Sequence, residues 1–254
     1  MYTRYPDLAG RTAVVTGGSR GIGAETARAL AANGVDVVVN GRDRAALDGV
    51  VASITSSGGR AVAAVGDVTE PDVAYLLRTV AEESFGPASI IVPFAGGQGS
   101  PVPVEKMTPE LWRSTLESDL TSAFLTVAEF LPGMIERGAG SIVTMASTAA
   151  RQPGLGSIAY AAAKAGVLTF TRYLAAQLGQ HGIRANAVAP SAVLNDKMRA
   201  AMTDEQLAHL ATQVPLGRIG QPADVAEAVL YLASDASSWV TGVTLDITGG
   251  RVIV

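Results

Sequence analysis

Short runs of β-branched and apolar residues alternate with helix-patterned stretches along nearly the whole chain, and this alternation restricts the fold more than any other feature. Strand patterns cover 11–16, 36–40, 60–65, 90–94, 141–145, 184–189 and 243–247. Helical patterns fall between them at 24–33, 43–57, 71–85, 109–131, 157–180 and 222–234. Asn33-Gly34 and Gly58-Gly59 read as helix stops, and Pro71, Pro109 and Pro222 as first-turn residues. Mainly apolar strands, each followed by a helix, imply a parallel sheet covered on both faces. The expected fold is α/β, a single doubly wound domain over 1–254 with a seven-stranded parallel sheet. A chain of 254 residues with 48% hydrophobic content can bury one core of that size, and no tract of biased composition marks a linker.

In such sheets ligands bind beyond the carboxyl ends of the strands, near the switch in strand order. Several chemically distinctive segments fall on that rim. The first strand runs into Gly17-Gly18-Ser19-Arg20-Gly21-Ile22-Gly23, which opens a helix. Glycines there let the backbone turn sharply and approach a pyrophosphate, whose charge faces the N–H groups of the helix start. The spacing is Gly-x-x-x-Gly-x-Gly rather than the commoner Gly-x-Gly-x-x-Gly, and the alternative is a tight connection without ligand. The second strand ends Val39-Asn40-Gly41-Arg42, with no acid before Asp43 to hold the ribose hydroxyls of NAD. Arg20 and Arg42 suit a 2′-phosphate instead, so NADP is expected, with NAD as the second choice. Solvated surface charge is the alternative for both arginines.

Tyr160 and Lys164 lie early on the helix after the fifth strand, four residues apart and on one face. A cation so placed stabilises phenolate relative to phenol, as general acid–base catalysis requires. By itself the pairing also occurs on ordinary helix surfaces. Its company is more informative, because Ser147 follows the fifth strand, Ala95-Gly96 the fourth and Pro190 the sixth.

Composition narrows the alternatives. A net charge of −4 with no basic stripe argues against nucleic-acid binding. Zero cysteines exclude disulfides, thiolate metal sites and a cysteine nucleophile, and His181 and His209 alone make no metal site. The first ten residues lack the apolar core of a signal peptide, and no long apolar run indicates a membrane span. A soluble, cytoplasmic protein is expected.

From Leu8 to Gly250 the chain resembles the short-chain dehydrogenase/reductase family. The likeness is carried by Thr16 to Gly23, Asp67-Val68, Ala95-Gly96, Ser147, Tyr160 with Lys164, and Asn186-Ala187-Val188-Ala189-Pro190. It continues in Gly220-Gln221-Pro222, Leu232 to Asp235, Val240-Thr241-Gly242 and Asp246-Ile247-Thr248-Gly249-Gly250. Among subgroups it is most similar to bacterial 3-oxoacyl-acyl-carrier-protein reductases and related ketoreductases. The resemblance implies a Rossmann-type fold and a nicotinamide cofactor. Tyr160 would be the proton donor and acceptor, Ser147 the hydrogen-bond donor to the substrate oxygen, and Lys164 the partner of the nicotinamide ribose. It also implies cofactor contacts from Gly17, Ser19, Arg20, Gly21, Ile22 and Gly23, adenine contacts from Asp67 and Val68, and a nicotinamide-side lining of Ala95, Gly96, Pro190, Val193 and Asn195.

The chain departs from the family pattern at four places. Pro93-Phe94-Ala95-Gly96 stands where Asn-Asn-Ala-Gly is usual, and Phe94 is expected to fill the volume of the lost amides. Asp119, in Asp119-Leu120-Thr121-Ser122-Ala123-Phe124, stands where an asparagine completes a proton relay to Lys164, and is expected to keep an altered relay. Ser191 replaces a glycine, restricting the loop, and Asn195 replaces a threonine while still offering an amide to the nicotinamide carboxamide or a phosphate.

The leading expectation is an NADP-dependent reductase of a small-molecule carbonyl, or dehydrogenase of the alcohol, with a carrier-protein thioester as one possible substrate form. A specialised secondary-metabolite enzyme and a non-enzymatic dinucleotide binder are the alternatives. A helical lid is expected at about 194–212, with 97–104 and 150–158 completing a mostly apolar pocket. Arg137, Arg151 and Arg172 are the candidates for a carrier-protein dock. A homotetramer built on the helices at 109–131 and 157–180 and on the last strand is the expected assembly.

Overall fold

The computed structural model describes residues 2–97, 101–153 and 156–253, with Lys197 and Ala201 described by backbone alone. Seven strands form one parallel sheet: β1 (Thr12–Thr16), β2 (Asp36–Gly41), β3 (Arg60–Val65), β4 (Ile90–Pro93), β5 (Gly140–Met145), β6 (Ile183–Pro190) and β7 (Thr244–Ile247). Their order is β3-β2-β1-β4-β5-β6-β7, so the chain reverses its direction of growth between β1 and β4. That reversal opens a crevice above the carboxyl ends of the two central strands.

Strand pleating explains the two cores. Ala13, Val15, Val37, Val39 and Val92 face one side, where they meet Leu30 of α1 (Gly21–Ala32), Leu47 of α2 (Arg44–Ser56) and Leu230 of the helix at Pro222–Ala233. Val14, Val38, Ile91 and Ile142 face the other. There they pack on Leu77 of α3 (Pro71–Ser84), on Phe130 and Met134 of the helix at Ser122–Arg137, and on Leu174 of the helix at Ile158–Leu178. Each fully buried side chain of this kind contributes about 1.5–3 kcal/mol relative to exposure.

The stretch expected as one helix over 109–131 is α4 (Pro109–Leu116), a π turn at Glu117–Thr121, and α5 (Ser122–Arg137). It was expected to end at Leu131. Instead the helix continues, because Met134 is fully buried in the core and Gly138, at φ 66°, closes the last turn. The remaining helices are α6 (Ile158–Leu178), α7 (Asp196–Ala201), α8 (Asp204–Thr212) and α9 (Pro222–Ala233). The region expected as a lid is thus two short helices. Among the described residues no helix is long and apolar enough to cross a membrane.

Pro93 shapes the sheet where the crevice opens. It aligns with Thr16 of β1, yet β4 pairs with β5 only at Ile90 and Ile91. Phe94 N–H donates back to the Val92 carbonyl at 3.0 Å, turning the chain away around a residue with no N–H of its own. Phe94 is buried in the core.

Candidate active site

The glycine turn after β1 is built by close packing. A side chain at Gly23 would place its Cβ 2.2 Å from the Gly17 carbonyl oxygen, so only glycine lets α1 begin directly over the turn. Thr16 Oγ1 accepts the Ala95 N–H at 3.1 Å and ties the loops after β1 and β4 together. Asp43, Ser157 and Thr203 cap α2, α6 and α8 through their side chains, whereas no side chain caps α1. Its first-turn N–H groups and the positive end of its dipole are therefore presented to the cleft it lines.

That cleft, about 350 Å³, brings together Gly17, Arg20, Gly21, Ile22, Gly23 and Gly96 with Ser147, Tyr160, Lys164, Pro190, Val193 and Asn195. An adjoining hollow of about 300 Å³ shares Gly17, Arg20 and Gly96 with it and adds Ser19, Arg42, Asp67, Val68 and Ala95. All the residues expected to contact a dinucleotide thus line one continuous groove. The combination suits an extended, diphosphate-bridged ligand, with a small-residue cradle and an uncapped helix at its middle.

At the end of the cleft that holds Tyr160, Lys164 is almost fully buried. Its Nζ donates to the Met145 carbonyl at 3.0 Å and lies 3.1 Å from Asp119 Oδ1 and 5.6 Å from the Tyr160 ring centroid. The Lys164 and Asp119 side chains are 3% and 0% exposed, so water screens their attraction little. Asp119 sits in the π turn between α4 and α5, a widened turn that pushes its carboxylate toward the cleft wall. There Oδ1 also accepts the Gly97 N–H at 2.7 Å and Oδ2 the Ser118 hydroxyl at 2.7 Å. A Cβ at Gly96 would come within 2.5 Å of Oδ1, so this loop and the carboxylate are in direct contact. The carboxylate that stands in the family's asparagine position therefore joins the loop after β4 to Lys164.

Tyr160 is half-buried, and its backbone N–H is held by Ser157 Oγ at 3.2 Å. Ser147 Oγ accepts the Ala149 N–H at 3.2 Å, which leaves the hydroxyl hydrogen for donation.

Several residues expected at the site or at a dock have partners that the sequence did not show. Arg20 and Arg42, read as flanking a phosphate, are engaged by carboxylates: Arg20 by Asp43 and Arg42 by Asp67, the latter at 3.2 Å. Both arginines are exposed, so these pairs are weak and a phosphate can compete with them. Burial pushes the Asp67 carboxyl up, but hydrogen bonds from the Thr69 N–H and hydroxyl and the nearby Arg42 outweigh it and hold Asp67 below its ordinary range. Asn195 caps α7 through the Met198 N–H at 2.9 Å, so its carbonyl is committed to the helix. Ser191 does not distort its loop, since no described non-glycine residue has positive φ, and its N–H donates to the Ile247 carbonyl at 3.2 Å. The three arginines expected at a carrier-protein dock differ in their surroundings. Arg151 is paired with Asp246 at 3.1 Å and Arg137 donates to the Ala88 carbonyl at 2.7 Å, leaving Arg172 exposed. Of the expected pocket walls, 98–100 and 154–155 lie outside the described residues, as does the Lys197 side chain.

Sequence reasoning missed Thr69, Ser118 and the Met145 carbonyl. Nothing local marks a backbone oxygen as a ligand for a lysine nineteen positions away.

Fold and groove together define a dinucleotide-dependent oxidoreductase class, and comparison with known proteins agrees. Residues 17–251 match the family model described as enoyl-(acyl carrier protein) reductase. The chain is 38% identical over 247 residues to cis-4-hydroxycyclohexanecarboxylate dehydrogenase of Sinomonas cyclohexanicum, covering 97% of this chain and 98% of that one. It is 37% identical over 250 residues to a 3-oxoacyl-[acyl-carrier-protein] reductase of Synechocystis, covering 97% and 98%. Among solved structures, a 7α-hydroxysteroid dehydrogenase complexed with NADH and 7-oxo glycochenodeoxycholic acid superposes with TM-score 0.90 at 34% identity, over 97% of this chain and 96% of that one. The chain belongs to the short-chain dehydrogenase/reductase family, and is an oxidoreductase using a nicotinamide dinucleotide.

Proposed function

We propose that this protein is an NADP-dependent ketoreductase, moving hydride between nicotinamide and a carbonyl or alcohol substrate with Tyr160 as general acid and base. The observation that carries the reading is the meeting of Tyr160, Lys164 and Ser147 in one cleft with the uncapped start of α1. The bound cofactor supplies or accepts the hydride. In the reductive direction Tyr160 gives its phenolic proton to the substrate oxygen, and the Ser147 hydroxyl donates a hydrogen bond to the same oxygen. Lys164 holds ribose hydroxyls, and its charge favours the phenolate left behind. Asp119 and the Met145 carbonyl fix the ammonium beside the tyrosine. Arg20 and Arg42, with no acid at the end of β2, support NADP over NAD. Asn40 stands there instead, with its amide turned to the Ala64 and Gly66 carbonyls.

The substrate is a small carbonyl compound, free or as a carrier-protein thioester, received beneath a lid at about 194–212. Homotetrameric assembly accords with exposed apolar side chains on α5, α6 and the β7 edge, among them Phe124, Tyr173 and Leu245.

The test is reduction of a ketone panel with NADPH: an acetoacetyl thioester, 4-oxocyclohexanecarboxylate and a 7-oxo bile acid. Tyr160→Phe should lose turnover on whichever ketone is reduced while still quenching NADPH fluorescence. Wild-type-like turnover by this variant would sink the proposal. So would a wild-type protein that binds NADPH tightly yet turns over no member of the panel in either direction.

A further inference from the structure

The segment carrying Ser147 is one hydrogen-bonded knot. Ala149 N–H donates to Ser147 Oγ at 3.2 Å and Ala150 N–H to the Ser147 carbonyl at 3.0 Å. Arg151 and Gln152 both donate to the Thr148 carbonyl, at 2.9 and 3.0 Å. Residues 147–152 therefore shift together or not at all. At the far end of the knot, Arg151 Nε lies 3.1 Å from Asp246 Oδ1 of β7, with both side chains about four-fifths buried (20% and 18% exposed).

Asp246 aligns with Ala189 of β6 and shares its face of the sheet, and Ala189 belongs to the buried cluster against which Ala150 of the knot packs. Next along β7, the Ile247 carbonyl accepts the Ser191 N–H, holding the loop after β6 that forms the opposite wall of the cleft. Two consecutive residues of β7 thus anchor both walls, one through the backbone and one through an ion pair. Nε and Oδ1 make no directed hydrogen bond among the described residues, so their attraction is Coulombic. A mostly buried pair of this sort adds little net stability over an apolar pair, and its best-attested use is to fix position.

We propose that Arg151 and Asp246 are positioning residues that pin the Ser147 knot to β7 and so set where the Ser147 hydroxyl meets the substrate oxygen. The inference rests on the ketoreductase reading for its catalytic consequence, though the pin itself does not. Neither residue is among those lining the cleft.

The test uses the full chain with Asp246→Asn, Arg151→Met and Arg151→Lys. It reads peptide-level hydrogen exchange over 148–153, the NADPH dissociation constant by fluorescence, and kcat and KM with the panel ketone reduced fastest. Exchange should quicken in the Asn and Met variants. Their kcat should fall about ten- to a hundredfold, as expected when a donor is displaced by roughly an ångström. NADPH affinity should stay unchanged, because the glycine turn is untouched, and Arg151→Lys, which keeps the charge, should restore both exchange and kcat. Wild-type exchange in the Asn and Met variants overturns the pin. Quickened exchange with wild-type kcat reduces it to a structural tie and overturns the positioning role. If the wild-type protein reduces no panel ketone, the ketoreductase reading fails, while the exchange data still decide the pin.

Discussion

Asp119 places one carboxylate between a backbone N–H, a serine hydroxyl and a buried ammonium. Removing one member of a buried ion pair leaves the other charge desolvated, at a cost of about 3–5 kcal/mol. Asp119→Ala should lower stability by about that amount, read as a shift in the urea unfolding midpoint. Asp119→Asn should lose less, since the amide oxygen still accepts from Gly97. Equal losses in the two variants would mean that the charge, which both remove, carries the stability and the retained acceptor adds nothing. At this scale the sequence was most informative where partners are local. The i, i+4 spacing of Tyr160 and Lys164 announces a shared helix face without any tertiary knowledge. The fate of Arg20 and Arg42 was not legible, because each finds its carboxylate through the geometry of a turn or across a pair of strand ends.

Among the elements, α6 does the most for the site. Ser157 caps it through the N–H of Tyr160 itself, so the cap and the proposed acid–base side chain share one residue. Ser157→Ala should cost about 1 kcal/mol, a Tm decrease of about 2–4 °C for a chain this long. It should also lower kcat, because the backbone that aims the phenol loosens. Calorimetry beside the ketone assay checks both, and a Tm loss with kcat intact would separate the cap from catalysis. The strands and most helix starts could be read ahead because apolar runs, prolines and glycines mark them. Two features could not. The helix expected to end at Leu131 runs on through Pro132, because tertiary burial of Met134 outweighs the proline's cost. The π turn at Glu117–Thr121 leaves no local mark, because the partner of its Asp119 lies in the loop after β4.

For the whole molecule, the reversal of strand order between β1 and β4 explains why residues from 17 to 195 converge on one groove. That convergence was foreseeable from alternation alone, since every candidate segment follows a strand or begins a helix on the same rim. The apolar surface away from the groove bears on assembly. Trp239 is 99% exposed, and Val243, just before β7, and Leu245 on that edge strand are 40% and 37% exposed. If copies of the chain associate there, as the proposed homotetramer requires, Trp239→Glu should leave a smaller assembly by light scattering, with the far-UV spectrum unchanged. A wild-type mass in that variant would move the interface elsewhere.

The bare start of α1 carries one more consequence, for how the protein behaves when its coenzyme is scarce. A helix whose first turn finds no cap within its own chain is completed by whatever anion settles on it. Heat resistance should therefore track coenzyme supply, rising by about 2.7 kcal/mol when the dinucleotide stands at a hundredfold its dissociation constant. Inorganic diphosphate alone should reproduce part of that protection in a melting scan. Starved of nucleotide, the same chain would become the easier prey of a protease.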